Sequence, residues 1–243
     1  MDVQTAKENG SYLLWDARHL PQATAEHFDH EWWAREGGLD GEAVGRGTVY
    51  FLNSPSGENW VLRHFRRGGE AQRVTEDKYL WCGAKRSRAF AEWRLLAEMS
   101  AMGLPVPAPV AARVVRSGLC YRADLITARV PATQTLAERL QGEFLPAAGW
   151  QTLGQILARF HAAGICHADL NAHNILVAQS SRFWLIDFDR GRVRKPGAWC
   201  KGNVARLRRS LDKLAANQLR FHFAETDWAA MQGGYLSRPP PGG

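Results

Sequence analysis

The chain has 243 residues, of which 45% are apolar and 23% charged. That composition suits one large domain or two small lobes with a real core, and it excludes wholesale disorder. No apolar run approaches the roughly 18 residues that a spanning helix needs, and the opening MDVQTAKENG lacks the apolar stretch of a secretory signal. The four cysteines (Cys82, Cys120, Cys166, Cys200) have no CxxC spacing, so neither a zinc site nor a disulfide framework is suggested, and free thiols suit a reducing cytoplasm.

Residues 1–40 are polar with scattered aromatics (Trp15, Phe28, Trp32, Trp33). His27, Asp29 and His30 are read as surface or packing residues, because no further ligands stand at a supporting spacing. TVYFL and NWVLRHF, parted by the turn-rich NSPSGE, predict a hairpin. Residues 88–102 turn helical: Phe90, Trp93, Ala97 and Ala101 fall at three- and four-residue steps, and Gly103 is the stop. LPVPAPV is an extended connector. ARVV and CYRADLIT, around RSG, predict a second hairpin, and residues 130–135 a hinge. In the second half, Trp150, Leu153, Ile156, Leu157 and Phe160 share one helical face that Gly164 closes. Two short strands, ILV and FWLID, are joined by AQSSR. Val204, Leu207, Leu211 and Leu214 form the stripe of a late helix with Asn203 as its N-cap.

Between helix and strands lies HADLNAHN. It matches the protein-kinase pattern H-R-D-L-x-x-x-N followed by D-F-G: His167, Asp169, Leu170 and Asn174, then Asp187, Phe188 and Asp189. Taken singly, Asp169 and Asn174 are turn residues and Asp187 ends a strand. Taken together, at this spacing and between these elements, they supply a carboxylate for the attacking hydroxyl and hard oxygen ligands for Mg²⁺.

The first half holds the remaining parts of a phosphoryl-transfer site. Gly45-Arg46-Gly47 is a candidate phosphate-covering loop, with a simple turn as its equal alternative. Val61-Leu62-Arg63 stands where the kinase pattern has V-A-I-K, and Glu92 where the partner glutamate of the following helix should be. The departures are specific. Arg63 replaces lysine, and no lysine occurs between Lys7 and Lys78, so either Arg63 or a neighbour (Arg66, Arg67) meets the nucleotide, or the phosphates are held differently. Ala168 replaces the arginine of H-R-D, and Asp189 replaces the glycine of D-F-G, adding a third carboxylate.

Charge is uneven along the chain. Residues 190–220 carry ten basic residues against Asp212, so this tract holds +9 and the remainder −2, out of +7 overall. The bland reading is a solvated helix face. The sharper one is an anionic partner, and with 25 of 31 basic residues being arginine it favours directed recognition of carboxylate or phosphate.

The stretches GRGTVYF, WVLRHFRRGG, DKYLWCGAKRSRAFAEWRLL, GLPVPAPVAARV, YRADLIT, GICHADLNAHNIL, IDFDRGRVR and NVARLRRSLDK together resemble the 3-deoxy-D-manno-octulosonic acid (Kdo) kinases, over about residues 41–214. The resemblance implies an α+β, two-lobed protein-kinase-like fold with an abbreviated C-terminal lobe. Its boundaries would be an N-terminal lobe over 1–130, a catalytic lobe over 131–236, and a disordered tail at 237–243. It implies ATP-dependent phosphorylation of the Kdo 4-hydroxyl on a Kdo-lipid A precursor, in lipopolysaccharide core assembly of Gram-negative bacteria. Asp169 would be the catalytic base, Asn174 and Asp187 would hold Mg²⁺, and Gly45, Gly47, Arg63 and Glu92 would serve ATP. A peripheral place on the cytoplasmic side of the inner membrane follows from the basic tract and anionic lipid. No obligate protein partner is expected. The rivals are a kinase-fold enzyme for another core sugar or small molecule, and a non-catalytic pseudokinase-like binding module. Nucleic-acid binding is disfavoured because no base-reading motif accompanies the charge.

Overall fold

The computed structural model describes residues 1–8, 10–44, 48–66 and 77–237. Helices and antiparallel sheets are both present, so the chain is α+β. It divides into two compact units: residues 1–98 with 107–129, and residues 99–106 with 130–243.

The first unit contains β1 (Val3–Glu8), β2 (Ser11–Asp16), α1 (His30–Arg35), β3 (Leu39–Val44), β4 (Thr48–Asn53), β5 (Asn59–His64), β6 (Tyr79–Leu80), α2 (Arg88–Ala101, whose last turn joins the second unit), β7 (Pro109–Ser117) and β8 (Cys120–Ala128). The strands run β1-β2-β7-β8-β5-β4-β3 in one antiparallel sheet, with β6 also on β8. Both expected hairpins form, β4 against β5 and β7 against β8.

Two strands come from the N-terminal residues that had looked merely polar. In β2 every residue but Tyr12 is buried, so its apolar run reads as a strand covered on both faces rather than as an alternating one. Trp15, Phe28 and Trp33 join Leu52, Trp60 and Ile126 in the core of this unit. The histidine cluster is used for packing: Asp29 caps α1 through the Glu31 N–H, and His30 stacks on Tyr50 at 4.2 Å.

Helix α2 forms where the spacing predicted and stops at Gly103, whose φ is +66°. Its buried face differs by one position from the expected one. Phe90, Trp93, Leu96 and Met99 are buried, whereas Ala97 is half-buried and Ala101 exposed. A continuous three-residue step lets the larger side chains take the interior, since leucine and methionine bury far more apolar area than alanine.

The second unit contains β9 (Thr133–Thr135), α3 (Leu136–Gly142), α4 (Ala147–Ala162), β10 (Ile165–Cys166), β11 (Ile175–Ala178), β12 (Phe183–Leu185), β13 (Arg192–Val193), α5 (Ala198–Asn217) and α6 (Glu225–Leu236). Residues 99–106 belong here because the Leu185 N–H donates to the Pro105 carbonyl and Arg159 to that of Gly103. The expected hinge is in part a strand, for β9 pairs with β11 in a three-stranded sheet with β12. Thr135 then caps α3 in a reciprocal box with Glu138.

Helices α4 and α6 touch backbone to backbone. A Cβ on Gly154 would lie 2.0 Å from the Met231 carbonyl oxygen, and one on Gly234 would lie 2.0 Å from that of Gln151. Only paired glycines permit so close a crossing.

Candidate active site

The loop 167–174 is introduced by a glycine that no other residue can replace cheaply. Gly164 ends α4 at φ +76°, and a Cβ there would meet the Arg194 carbonyl oxygen at 2.5 Å. The chain then passes through β10, paired with β13, and enters His167.

His167 is buried and acts as a bracket. Its Nδ1 accepts from the Asp169 N–H at 3.1 Å, so the ring proton lies on Nε2, which donates to the Ile186 carbonyl at 2.9 Å. Burial pushes its pKa down, in keeping with the neutral ring those bonds require. One side chain thereby ties the acid of the loop to the residue before Asp187.

The turn itself is tied by amides. Asn171 accepts from the His173 and Asn174 N–H groups and donates its Nδ2 to the Asp169 carbonyl. Asn174 donates its own Nδ2 to the same carbonyl at 2.9 Å. That bond uses the amide's donor end and leaves Oδ1 as its remaining ligand atom. The Ile186 N–H donates to the Asn174 carbonyl, closing the loop onto the segment just after β12 that carries Asp187.

Asp187 has φ +61°. A non-glycine residue in the left-handed region costs about 1–2 kcal/mol, and such strain persists only where its surroundings over-determine it. Here Ile186 is bonded on both backbone sides. Phe188 is 1% exposed and sits beside the rings of Phe160 and His167. The Gly191 N–H closes the turn on the Phe188 carbonyl. The aspartate's backbone is thus held by buried neighbours while its side chain remains half-buried.

Helix α5 braces the loop along one face. Asn203 accepts from the His167 N–H at 3.1 Å and donates to the His167 carbonyl at 2.9 Å. Ser210 accepts from the Ala172 N–H. Between them, Arg206 places Nη1 3.3 Å from Asp169 Oδ1. Asn203 is therefore not an N-cap. The helix begins five residues earlier, at Ala198, and the amide is 7% exposed with its side chain spent on the loop. An asparagine on the apolar side of a helix, where its propensity is poor, was the available sign. Nothing in the linear pattern marked Arg206.

Beyond Arg206, the basic tract is partly self-neutralised. Arg208 pairs with Asp212 and Glu225 and lies over Phe223 and Trp228, so it fastens α6 rather than facing a partner.

The donor set suits Mg²⁺. Asn174 Oδ1 and the Asp187 carboxylate are hard oxygen ligands, and Asp189 is a half-buried carboxylate two residues on. Among the described residues no three His, Cys, Asp or Glu side chains form a cage. A Mg²⁺ held by one or two carboxylates and substrate phosphates needs none.

In the first unit, Arg63 and Glu92 meet. Nη2 of Arg63 is 2.6 Å from Glu92 Oε2, and the Glu92 side chain is 2% exposed. Glu92 is thus a buried partner rather than a surface acid, and the guanidinium also rests on Phe65. Arg66 is exposed. Gly45, Gly47 and Arg67 lie outside the described residues.

Comparison with known proteins bears on this arrangement. The family model described as "Lipopolysaccharide kinase (Kdo/WaaP) family" matches residues 30–235. A 3-deoxy-D-manno-octulosonic acid kinase of Xanthomonas axonopodis pv. citri is 45% identical over 226 residues, 92% of this chain and 88% of that one. The enzyme of the same name from Stenotrophomonas maltophilia (strain R551-3) is 46% identical over 205 residues, 83% and 80% of the two chains. The one from Haemophilus influenzae (strain PittEE) is 35% identical over 240 residues, 96% and 99%. With a matching model across most of its length and relatives aligned nearly end to end, the chain belongs to the lipopolysaccharide kinase (Kdo/WaaP) family.

Proposed function

We propose that the protein is an ATP-dependent sugar kinase that phosphorylates the 4-hydroxyl of Kdo on a Kdo-lipid A precursor, in lipopolysaccharide core biosynthesis. The observation that carries the reading is the wiring of Asp169, Asn174 and Asp187 into one braced loop by His167, Asn171 and Asn203. A binding module needs no such pre-organisation, whereas phosphoryl transfer depends on it.

In this mechanism the acceptor hydroxyl attacks the γ-phosphorus of ATP. The new P–O bond forms as the bond to the ADP oxygen breaks, and the hydroxyl proton passes to Asp169. Asn174 and Asp187 would hold Mg²⁺, which when bound offsets the charge of the phosphate oxygens. Asp187 is suited to that role because its backbone is locked before any ligand arrives. Arg63, oriented by Glu92, takes the place of the usual lysine on the nucleotide phosphates, where a guanidinium fork can bond two oxygens at once. The first compact unit is the nucleotide lobe and the second the catalytic lobe. On the sequence pattern alone, Gly45 and Gly47 would cover the nucleotide phosphates.

The protein acts at the cytoplasmic face of the inner membrane as a peripheral enzyme. No helix among the described residues is long and apolar enough to cross a bilayer, and the basic residues of α5 and the segment before it supply attraction to anionic lipid. Vesicles of anionic lipid should retain the protein at low salt and release it at high salt. Binding indifferent to salt rules this placement out.

The deciding experiment is transfer of labelled γ-phosphate from ATP to Kdo-lipid A precursor with Mg²⁺, using wild type and Asp169→Ala. Label on the lipid with wild type alone supports the reading. Equal label with Asp169→Ala removes Asp169 as base. Mg-ATP binding with no transfer to any core sugar favours the binding module.

A further inference from the structure

We infer that Arg206 is the residue that receives the acceptor's carboxylate, next to the base that takes the proton from its hydroxyl. The inference rests on the acceptor being a sugar acid, as proposed above, and adds the group that recognises the acid.

The position of Arg206 is fixed by its neighbours. Asn203, Arg206 and Ser210 are three and four residues apart on α5, so they share one face. All three contact the loop: Asn203 at His167, Arg206 at Asp169, and Ser210 at Ala172. With the residues on either side bonded to the loop backbone, the helix position that carries Arg206 is held beside Asp169.

Folding stability does not account for the pair. Both side chains are 47% exposed and the contact is a single 3.3 Å approach. Ion pairs so exposed contribute little. One of five guanidinium N–H groups is committed to Asp169, and the planar fork can still present two parallel donors to another carboxylate.

Electrostatics make a cation necessary at this point. A Kdo acceptor that lays a hydroxyl on Asp169 brings its own carboxylate close by, because C4 and the carboxyl-bearing C2 stand in a 1,3-relation on one ring. Two carboxylates at that separation repel each other. A guanidinium between them offsets that repulsion. A neutral core sugar would leave the cation without a second anion, so such acceptors should bind less well.

The test compares three proteins on two acceptors. Wild type, Arg206→Gln and Arg206→Lys are assayed with the Kdo-lipid acceptor and with the same acceptor whose carboxyl is methyl-esterified. Arg206→Gln should raise the KM for the free acid by about tenfold to a hundredfold, the usual worth of a hydrogen-bonded charge pair. The KM for ATP should stay unchanged. Esterification should cost wild type a similar factor and cost Arg206→Gln almost nothing further, and Arg206→Lys should recover part of the loss for the free acid. The assignment is overturned if the two losses multiply, or if the KM for ATP rises in place of that for the acceptor, which would put Arg206 on the γ-phosphate. Failure of wild type to phosphorylate either acceptor sinks the acceptor reading and this inference with it. Transfer by wild type with unlinked losses sinks Arg206 alone.

Discussion

Replacing Asn203 by alanine removes both hydrogen bonds between α5 and the His167 backbone. The two groups stranded, an N–H and a carbonyl, are buried, so water does not repair them. Each unpaired buried group costs about 1–3 kcal/mol, which puts the loss for the two at about 2–6 kcal/mol. A domain's whole stability is about 5–15 kcal/mol, so urea unfolding followed by tryptophan fluorescence resolves a change of that size. In a chain of this length, at about 2–4 °C per kcal/mol, it corresponds to a fall in Tm of about 4–24 °C. Asn203→Asp should not rescue it, because aspartate keeps the acceptor for the His167 N–H but sets oxygen against oxygen at the His167 carbonyl. Below the melting temperature, loosening the bracket displaces Asp169, and a displacement near 1 Å costs about a hundredfold in turnover. The loss should appear in kcat and leave the KM for ATP nearly unchanged, a division that destabilisation by itself does not produce. A variant that melts within a degree of wild type and keeps its kcat refutes the role assigned to Asn203.

Further outcomes follow from other contacts. Gly154→Ala drives a Cβ into the Met231 carbonyl oxygen at 2.0 Å and should destabilise by about 3 kcal/mol or more. Gly202→Ala, which meets nothing within 4 Å on α5, should stabilise by about 0.5–1 kcal/mol; the two variants, compared by thermal melting, should move in opposite directions. Burial pushes His161 down to about 4, against a bond with Asn203 that favours its charged form. The unfolded ring gains its proton as pH falls through 6.5 while the folded ring stays neutral until near 4. Stability from this residue is therefore complete above about pH 6.5 and drains away toward pH 4, by roughly 3 kcal/mol in all. His161→Gln should flatten that part of the stability–pH curve measured by urea unfolding, and an unchanged slope would assign the effect elsewhere. Glu92→Gln should raise the KM for ATP about tenfold by loosening Arg63, with a smaller change in the KM for the acceptor; equal rises in both would separate Glu92 from the nucleotide.

Much of the local structure was legible because it is written at short range. Periodicity located α2 and α4, turn residues located the two hairpins, and Gly103 and Gly164 marked their helix ends, since backbone angle depends on the residue itself. The loop was legible as well, because Asp169, Asn174 and Asp187 sit at a fixed spacing between a helix and a hairpin. What stayed hidden depends on partners far away in the chain. Strands β1 and β2 could not be read from the segment alone, because β2 is buried through its pairing with β7 and the exposed β1 is a strand only by pairing with β2. Asn203 looked like a cap because helix ends are inferred from local preference, and only the folded chain brings His167 against it. Arg206 was one of seven arginines among the ten basic residues of the tract. Its distinction comes solely from the face of α5 on which it falls and from the acid that the loop sets opposite it. Local steric and hydrogen-bonding preferences thus determined the elements and the motif. Tertiary structure decided which polar groups meet, because burial and long-range pairing belong to the assembled chain and to no segment of it.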